Sequence, residues 1–396
     1  MPAGITGRSI RVALAAGIAT AHLSATGEWK LLSSGGAATL VRGKGQGVWR
    51  IERRGDQLRV INAAGTMAAT RDGPFVARPS EPGAFVTWEG KRYRGELVIL
   101  PSHDTTGLLV LDRLGVEDYL RGVVPSELGD VTELEVAALE AQAVAARSYA
   151  YVRLDDPDAA ARPYDLLASV TDQLYGGVDA ETRWGDAAIL ATTGQVLRYA
   201  GLVVSAPYHS SCGGSTAAPT EVWHTTDAPP YLRGVSDKIP GTDHYYCEGS
   251  AHFRWTQTYT GSQLRATLER YLPQYTLLHG MTVGRVRGVL ADPPTASGRA
   301  SGVTIVTDRG RYDVRGNDVR FVFRTPDGAV LHSTYFFLES TLGATGEVAS
   351  LTLHGAGNGH GVGMCQWGAI GRARAGQDYR MILATYYPGT TVAPID

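Results

Sequence analysis

Three stretches of the sequence concentrate residues that can do chemistry. The first is "RGVVPSELGD", residues 121–130, where Glu127 stands just before one of the most helix-prone runs in the chain, "LEVAALEAQAVAARSYAYVRL". A carboxylate needed only for solubility can sit on any outer face. One held in a turn at the foot of a rigid helix is positioned, and position is what acid–base chemistry needs. The plainer reading of Glu127 is a solvated loop carboxylate that helps cap the helix. The second stretch is "YHSSCGGST", residues 208–216, a hydroxyl- and thiol-bearing loop with paired glycines. The third is "GNGHGVGMCQWGA", residues 357–369, where five glycines alternate with polar and bulky groups. Such density lets backbone N–H groups face a ligand and brings His360 and Gln366 to it; a series of tight turns is the plainer alternative. No Gly-Lys-Ser/Thr follows and no dinucleotide-binding spacing is present, so this is not a phosphate loop.

Cys212 or Cys365 beside His209 or His360 would make a thiol nucleophile with its base, although a lone cysteine is more often an inert small hydrophobe or a structural partner. Metalloprotease signatures are absent. His22, His103, His224, His244, His252, His279, His332 and His354 are isolated in sequence and read as ordinary imidazoles.

The elements that must position these residues follow from pattern. A chain of 396 residues has ample length for a large core and for two or three domains. Lys plus Arg is 37 against 39 for Asp plus Glu, a formal net charge of -2 that argues against a nucleic-acid partner or an anionic membrane surface. The 49 glycines and 19 prolines are spread out, which reads as many turns between short strands. No run approaches the roughly 18 apolar residues of a membrane span. "RSIRVALAAGIATAHLSATG" is a poor signal peptide, mostly alanine and broken by Gly17, and "IRVALA" reads better as a first β-strand. An export signal, if the protein uses one, is expected upstream of this start.

The expected class is α+β. Residues 1–105 form a β-rich region, with "GVWRIERRGDQLRVINAAG" alternating on both sides of an Arg-Gly-Asp turn. Residues 106–396 form a second domain that opens with a strand and a short helix ending at a Pro125 turn. Asp130 then serves as N-cap with Glu133 completing a capping box. The following helix carries a stripe of Ala137, Ala141, Val144, Ala145 and Ser148, and is expected to be buried at the domain's centre among mixed short strands. A helix-plus-strand insertion is expected near 255–345, with "TGSQLRATLERYL" as its amphipathic helix.

The ordered motifs "EDYLRGVVPSELG", "ALEAQAVAARSYA", "TDQLYGG", "YHSSCGGST", "PYLRGV", "GHGVGMCQWGAIGRARAG" and "YRMILATYYPGT" resemble the stage II sporulation protein D (SpoIID/LytB) family over roughly residues 106–392. The resemblance implies an exported or membrane-anchored protein of the cell wall acting on peptidoglycan glycan strands. Better-studied members are lytic transglycosylases, while another branch is named for enhancing a cell-wall amidase. Carried over, the family's essential glutamate falls on Glu127, its helix arginine on Arg147, and its His-Gly-Val-Gly motif on His360 to Gly363 with Gln366 just after. Glu140 stands where many members have lysine. Some members bind a structural zinc near the loop matching residues 208–218, but Ala217 and Ala218 offer no ligands, so neither that metal nor any cofactor is expected.

On this reading Glu127 and Arg147 are catalytic, and His209, Ser210, His360, Gln366 and Trp367 bind substrate. In lytic cleavage the sugar's own C6 hydroxyl attacks C1, so one carboxyl can protonate the leaving oxygen and then accept the hydroxyl's proton. That carboxyl needs a raised pKa, which partial burial gives. Glu127, Arg147, His209 and His360 are accordingly expected to converge on one groove. Outside the cytoplasm the loop thiols Cys212 and Cys247 are expected to form a disulfide, with a zinc site using Cys365 or a histidine as the alternative.

Overall fold

The computed structural model describes residues 7–36, 38–45, 47–102, 106–129, 131–277 and 282–395. His103, His279 and the expected N-cap Asp130 lie outside the described residues. The chain mixes α and β structure and divides into two compact units, one of residues 1–197 with 203–205 and 393–396, the other of residues 198–202 and 206–392.

In the first unit, alternation of apolar and polar residues makes strands, and the strands make two sheets. Seven strands pair in the order Leu166–Leu167, Ser9–Ile18, Leu108–Gly115, Glu96–Pro101, Phe75–Pro79, Glu28–Leu32 and Thr39–Lys44. Six more pair in the order Lys91–Tyr93, Val86–Trp88, Thr20–Ala25, Trp49–Arg54, Gln57–Ile61 and Met67–Asp72. Inward residues of both sheets, among them Leu23, Trp29, Ile51, Val60, Ile99 and Val110, share one core. The expected strand over "IRVALA" is present, with Ile10 and Val12 fully buried. It pairs antiparallel with Leu108–Gly115, which pairs in turn with Glu96–Pro101. The expected boundary at residue 105 therefore falls inside a sheet, since strands on either side of it are hydrogen-bonded to each other.

Leu108–Gly115 leads straight into the helix Val116–Leu128. The short helix does not stop at Pro125: it continues one turn beyond, with the Pro125 carbonyl accepting the Gly129 N–H at 2.9 Å. Gly129, at φ 73°, supplies the left-handed residue that ends it. The alanine-rich helix runs Val136–Leu154 and is buried on nearly every side, although Ala137 is partly exposed. Its entry is capped by Thr132 and Glu135, not by Glu133: the Thr132 N–H and hydroxyl both donate to the Glu135 carboxylate, at 2.6 and 3.1 Å.

The second unit carries a helix and short strands between 255 and 355. Strands Trp255–Thr260, Val348–Gly355 and Phe336–Leu342 form one sheet, and Val286–Ala291, Gly302–Thr307 and Gly310–Arg315 another. The amphipathic helix Gly261–Tyr271 starts at a Thr260/Gln263 capping box and buries Leu264 and Leu268 among Tyr259, Ile305, Phe323 and Leu351. Two short strands, Tyr208–His209 and Met364–Cys365, pair in parallel ahead of the helices Gln366–Arg374 and Tyr379–Tyr386. Among the described residues no helix is long and apolar enough to cross a membrane.

One close approach in the first unit is testable at once. A Cβ added at Gly122, midway along Val116–Leu128, would lie 2.5 and 2.8 Å from ring carbons of Tyr175 and 3.0 Å from the Gly177 carbonyl. Gly122→Ala is expected to lower unfolding free energy by about 1–3 kcal/mol through overpacking, although alanine is the better helix former. Urea melts of the two proteins check this; an unchanged or raised midpoint contradicts the contact.

Candidate active site

Glu127 lies in the last turn of Val116–Leu128 and is half-buried. The expectation of a loop position is corrected here, because the helix absorbs Pro125 and carries the glutamate on its C-terminal turn. Its Oε1 accepts the Leu174 N–H at 2.7 Å. Leu174 belongs to the segment 171–177, "TDQLYGG", which is clamped along its length. Asp172 accepts the Tyr149 hydroxyl and the Arg153 guanidinium, at 2.8 and 2.6 Å. Gln173 accepts the Tyr119 hydroxyl at 2.8 Å, the Tyr175 hydroxyl donates to Asp112 at 2.7 Å, and the Gly176 N–H donates to the Gly122 carbonyl at 3.1 Å. Burial holds the Tyr119 hydroxyl well above its usual pKa, and the charge on Glu127 adds to the shift. Burial likewise holds the Asp112 carboxyl well above the usual carboxylate range. The arrangement fixes one carboxylate oxygen with a backbone donor whose own segment is held at five side chains or backbone groups. That is the support a positioned acid–base group requires.

Arg147, which the resemblance placed among the catalytic residues, is bonded inside the first unit. It is fully buried, its Nε and one terminal nitrogen donate to the two oxygens of Glu117, each at 2.7 Å, and the other donates to the Gln195 carbonyl at 3.0 Å. It ties Val116–Leu128 to the alanine-rich helix.

The remaining predicted residues belong to the second unit. His209 and His360 come together there, their ring centroids 5.4 Å apart. The Val362 N–H donates to Nδ1 of His360 at 3.1 Å, so Nε2 carries the hydrogen and donates to the Tyr208 carbonyl at 2.9 Å. Both nitrogens are thus spent on backbone, and burial, with the nearby Arg320 charge, pushes the His360 pKa down to about 3. The buried His209 donates from Nδ1 to the Val362 carbonyl at 3.2 Å, and burial likewise lowers its pKa well below the ordinary value. The glycines around them serve close packing: a Cβ at Gly359, φ 109°, would lie 2.7 Å from the His209 Cβ, and one at Gly361, φ 89°, 2.4 Å from Arg299. Ser211 and Asn358 exchange backbone hydrogen bonds at 2.9 and 2.7 Å, stitching the two glycine-rich loops together.

Arg299, fully buried, reinforces that seam by donating to the Ser215 and Cys212 carbonyls, at 3.0 and 3.1 Å. Sequence reading missed it because a single arginine in "TASGRASG" carries no local signal. Gln366 is buried, whereas Ser210 and Trp367 are half-exposed and joined by a Trp367 N–H to Ser210 carbonyl bond at 3.0 Å. Cys212 and Cys247 are buried free thiols with sulfurs 3.5 Å apart. A groove of about 1030 Å³ in the second unit, lined by Trp255, Asp292, Tyr335, Phe337 and His354, also went unnoticed in the sequence. Phe337 is 61% exposed on its rim and stacks on His354 at 4.9 Å.

Comparison with known proteins matches residues 104–199 to the family model "Stage II sporulation protein" (SpoIID), and residues 239–363 to a domain of unknown function, DUF8618. An uncharacterized protein of Brachyspira hyodysenteriae is 31% identical over 306 residues, covering 77% of this chain and 73% of that one. The amidase enhancer of Bacillus subtilis is 30% identical over 341 residues, covering 78% of this chain but only 45% of the relative. The stage II sporulation protein D of Bacillus subtilis is 26% identical over 346 residues, with coverage of 84% and 88%.

Two outcomes follow from this geometry. Arg147→Ala leaves Glu117 and the Gln195 carbonyl without their cation and is expected to cost about 3 kcal/mol, read in a thermal or urea melt; a melt unchanged from wild type contradicts that tie. For His360, the unfolded side chain takes up a proton below its ordinary value of 6.5, the folded one only below about 3. Its contribution to stability is therefore complete above pH 6.5 and is lost as pH falls through that window. Unfolding free energy measured from pH 7 to 4 is expected to fall more steeply for wild type than for His360→Asn, and parallel curves contradict the assignment.

Proposed function

The chain belongs to the stage II sporulation protein D (SpoIID) family, and on that premise we propose that it is a peptidoglycan lytic transglycosylase with Glu127 as its acid–base group. The observation that carries the reading is the seat of Glu127: a half-buried carboxylate whose Oε1 is held by the Leu174 N–H, on a segment itself clamped along its length. In the proposed step the Glu127 carboxyl gives its proton to the glycosidic oxygen as the bond from C1 of MurNAc to that oxygen breaks. The C6 hydroxyl of the same MurNAc then closes on C1 and its proton passes to the Glu127 carboxylate. The product is a 1,6-anhydro end, and no water is consumed.

The substrate is a glycan strand outside the cytoplasm, in the cell wall. Ser210, His360 and Trp367 are the half-exposed members of the predicted binding set, and Trp367 offers a stacking face. Within the second unit, the aromatic groove at Trp255, Tyr335 and Phe337 offers ring faces of the kind on which sugars stack. A second reading is a non-catalytic enhancer of a cell-wall amidase, favoured by the 30% identity to a relative named for that role, although the chain spans less than half of it.

Glu127→Gln separates the two. Glutamine keeps an oxygen for the Leu174 N–H, so stability is expected to change by less than about 1 kcal/mol. Release of anhydro-MurNAc products from purified glycan strands is expected to fall about 10²–10⁴-fold, with glycan binding retained. A folded Gln variant with near wild-type product release removes Glu127 from the chemistry, and a wild type that releases none from any strand supports the enhancer.

A further inference from the structure

The three cysteines meet in one place, although Cys212 and Cys365 are 153 positions apart. Cys212 comes from the loop 208–216, Cys247 from a segment turned back on itself by the Lys238–Tyr245 bridge, and Cys365 from the strand before Gln366–Arg374. Asp237, at the other arm of the same turn, joins them. One ligand atom from each of the four lies within 4.8 Å of all the others, and all four side chains are fully buried. We propose that Cys212, Asp237, Cys247 and Cys365 form a closed four-ligand site for a thiophilic divalent cation, zinc above all, that staples the glycine-rich loops of the second unit.

The distances suit such an ion. Zinc–sulfur bonds of about 2.3 Å in a tetrahedron put sulfurs about 3.8 Å apart, and a sulfur and a carboxylate oxygen about 3.5 Å apart. Here the Cys212 and Cys247 sulfurs are 3.5 Å apart, and the Cys212 sulfur is 3.7 Å from Oδ2 of Asp237. Three soft sulfurs and one oxygen select zinc over magnesium or calcium.

The surroundings are arranged as an outer shell for thiolates. The Cys365 sulfur accepts two backbone N–H groups, from Cys212 at 3.1 Å and Gly368 at 3.3 Å. Oδ1 of Asp237 accepts the Tyr386 hydroxyl at 2.7 Å and the Arg372 guanidinium at 3.0 Å, which turns Oδ2 toward the sulfurs. Such partners orient ligands and offset their charge. Gly368 makes the room: a Cβ there would lie 2.5 Å from Oδ2 of Asp237 and 2.0 Å from the Tyr386 hydroxyl.

A disulfide between Cys212 and Cys247 would use two of these groups and leave a third thiol and a carboxylate buried beside it; the cation uses all four. None of the four stands at 217 or 218, where the sequence has alanine. The site is independent of any role for Glu127.

The test uses the full chain, purified without chelator or added reductant. Elemental analysis is expected to find about one zinc per chain, and all three thiols should titrate after denaturation in chelator. Exchange of zinc for Co²⁺ should give a sulfur-to-cobalt charge-transfer band in the near ultraviolet and the visible bands of tetrahedral cobalt. Cys247→Ser and Asp237→Asn should lower metal occupancy at least tenfold. If those variants fail to fold, the wild-type zinc content and cobalt spectrum still decide. Substoichiometric zinc below about a tenth, octahedral cobalt bands, or one titratable thiol in place of three, the mark of a disulfide, would each overturn the proposal.

Discussion

The seat of Tyr175 against Gly122 is the contact on which the placement of Glu127 depends. With no side chain at Gly122, the Tyr175 ring lies on the helix surface, its hydroxyl reaches Asp112, and the next N–H, that of Gly176, reaches the Gly122 carbonyl. The segment is then close enough for the Leu174 N–H to meet Glu127 one turn farther along the helix. The carboxylate is thereby referenced to a packed helix and not to a mobile loop. Arg147 secures the other face of the same helix through Glu117. Buried charge of this kind is costly unless paired, so its partners hold a defined geometry as long as the pair survives.

The second unit reaches precision by a similar economy. Its glycine-rich loops trade side chains for close backbone approach, and single buried polar residues close the gaps. Arg299 bonds two carbonyls of one loop while lying where a Cβ at Gly361 would be. His360 spans two backbone groups, and its neutrality follows from burial, since a charged ring could not accept the Val362 N–H. The ring nitrogens that these histidines spend on backbone are thus part of what holds the two loops together.

Much of this was legible in the chain where periodicity or motif order carried it. Alternation gave the paired strands around Gly55, alanine spacing gave the buried helix, and the amphipathic pattern of "TGSQLRATLERYL" gave the helix Gly261–Tyr271. Glu127 stood out by residue type and by resemblance. Its element did not, because proline reads as a stop, yet here the Pro125 carbonyl still finds the Gly129 N–H and the helix gains a turn. Partners distant in sequence were invisible: Glu117 for Arg147, 30 residues away, and Asp237 for the cysteines. Such pairings are set by how elements pack, and single-residue chemistry cannot anticipate them.

The most direct measurement is the mass of the new ends released from stem-peptide-free glycan strands digested by the wild-type protein in ¹⁸O-labelled water. If the MurNAc C6 hydroxyl is the nucleophile and Glu127 moves the proton, the ends are anhydro-MurNAc, lighter than a hydrolysed end by one water and free of ¹⁸O. Reducing ends that carry ¹⁸O would contradict it by showing water as the nucleophile, and strands left uncut would remove the glycan-cleaving role altogether.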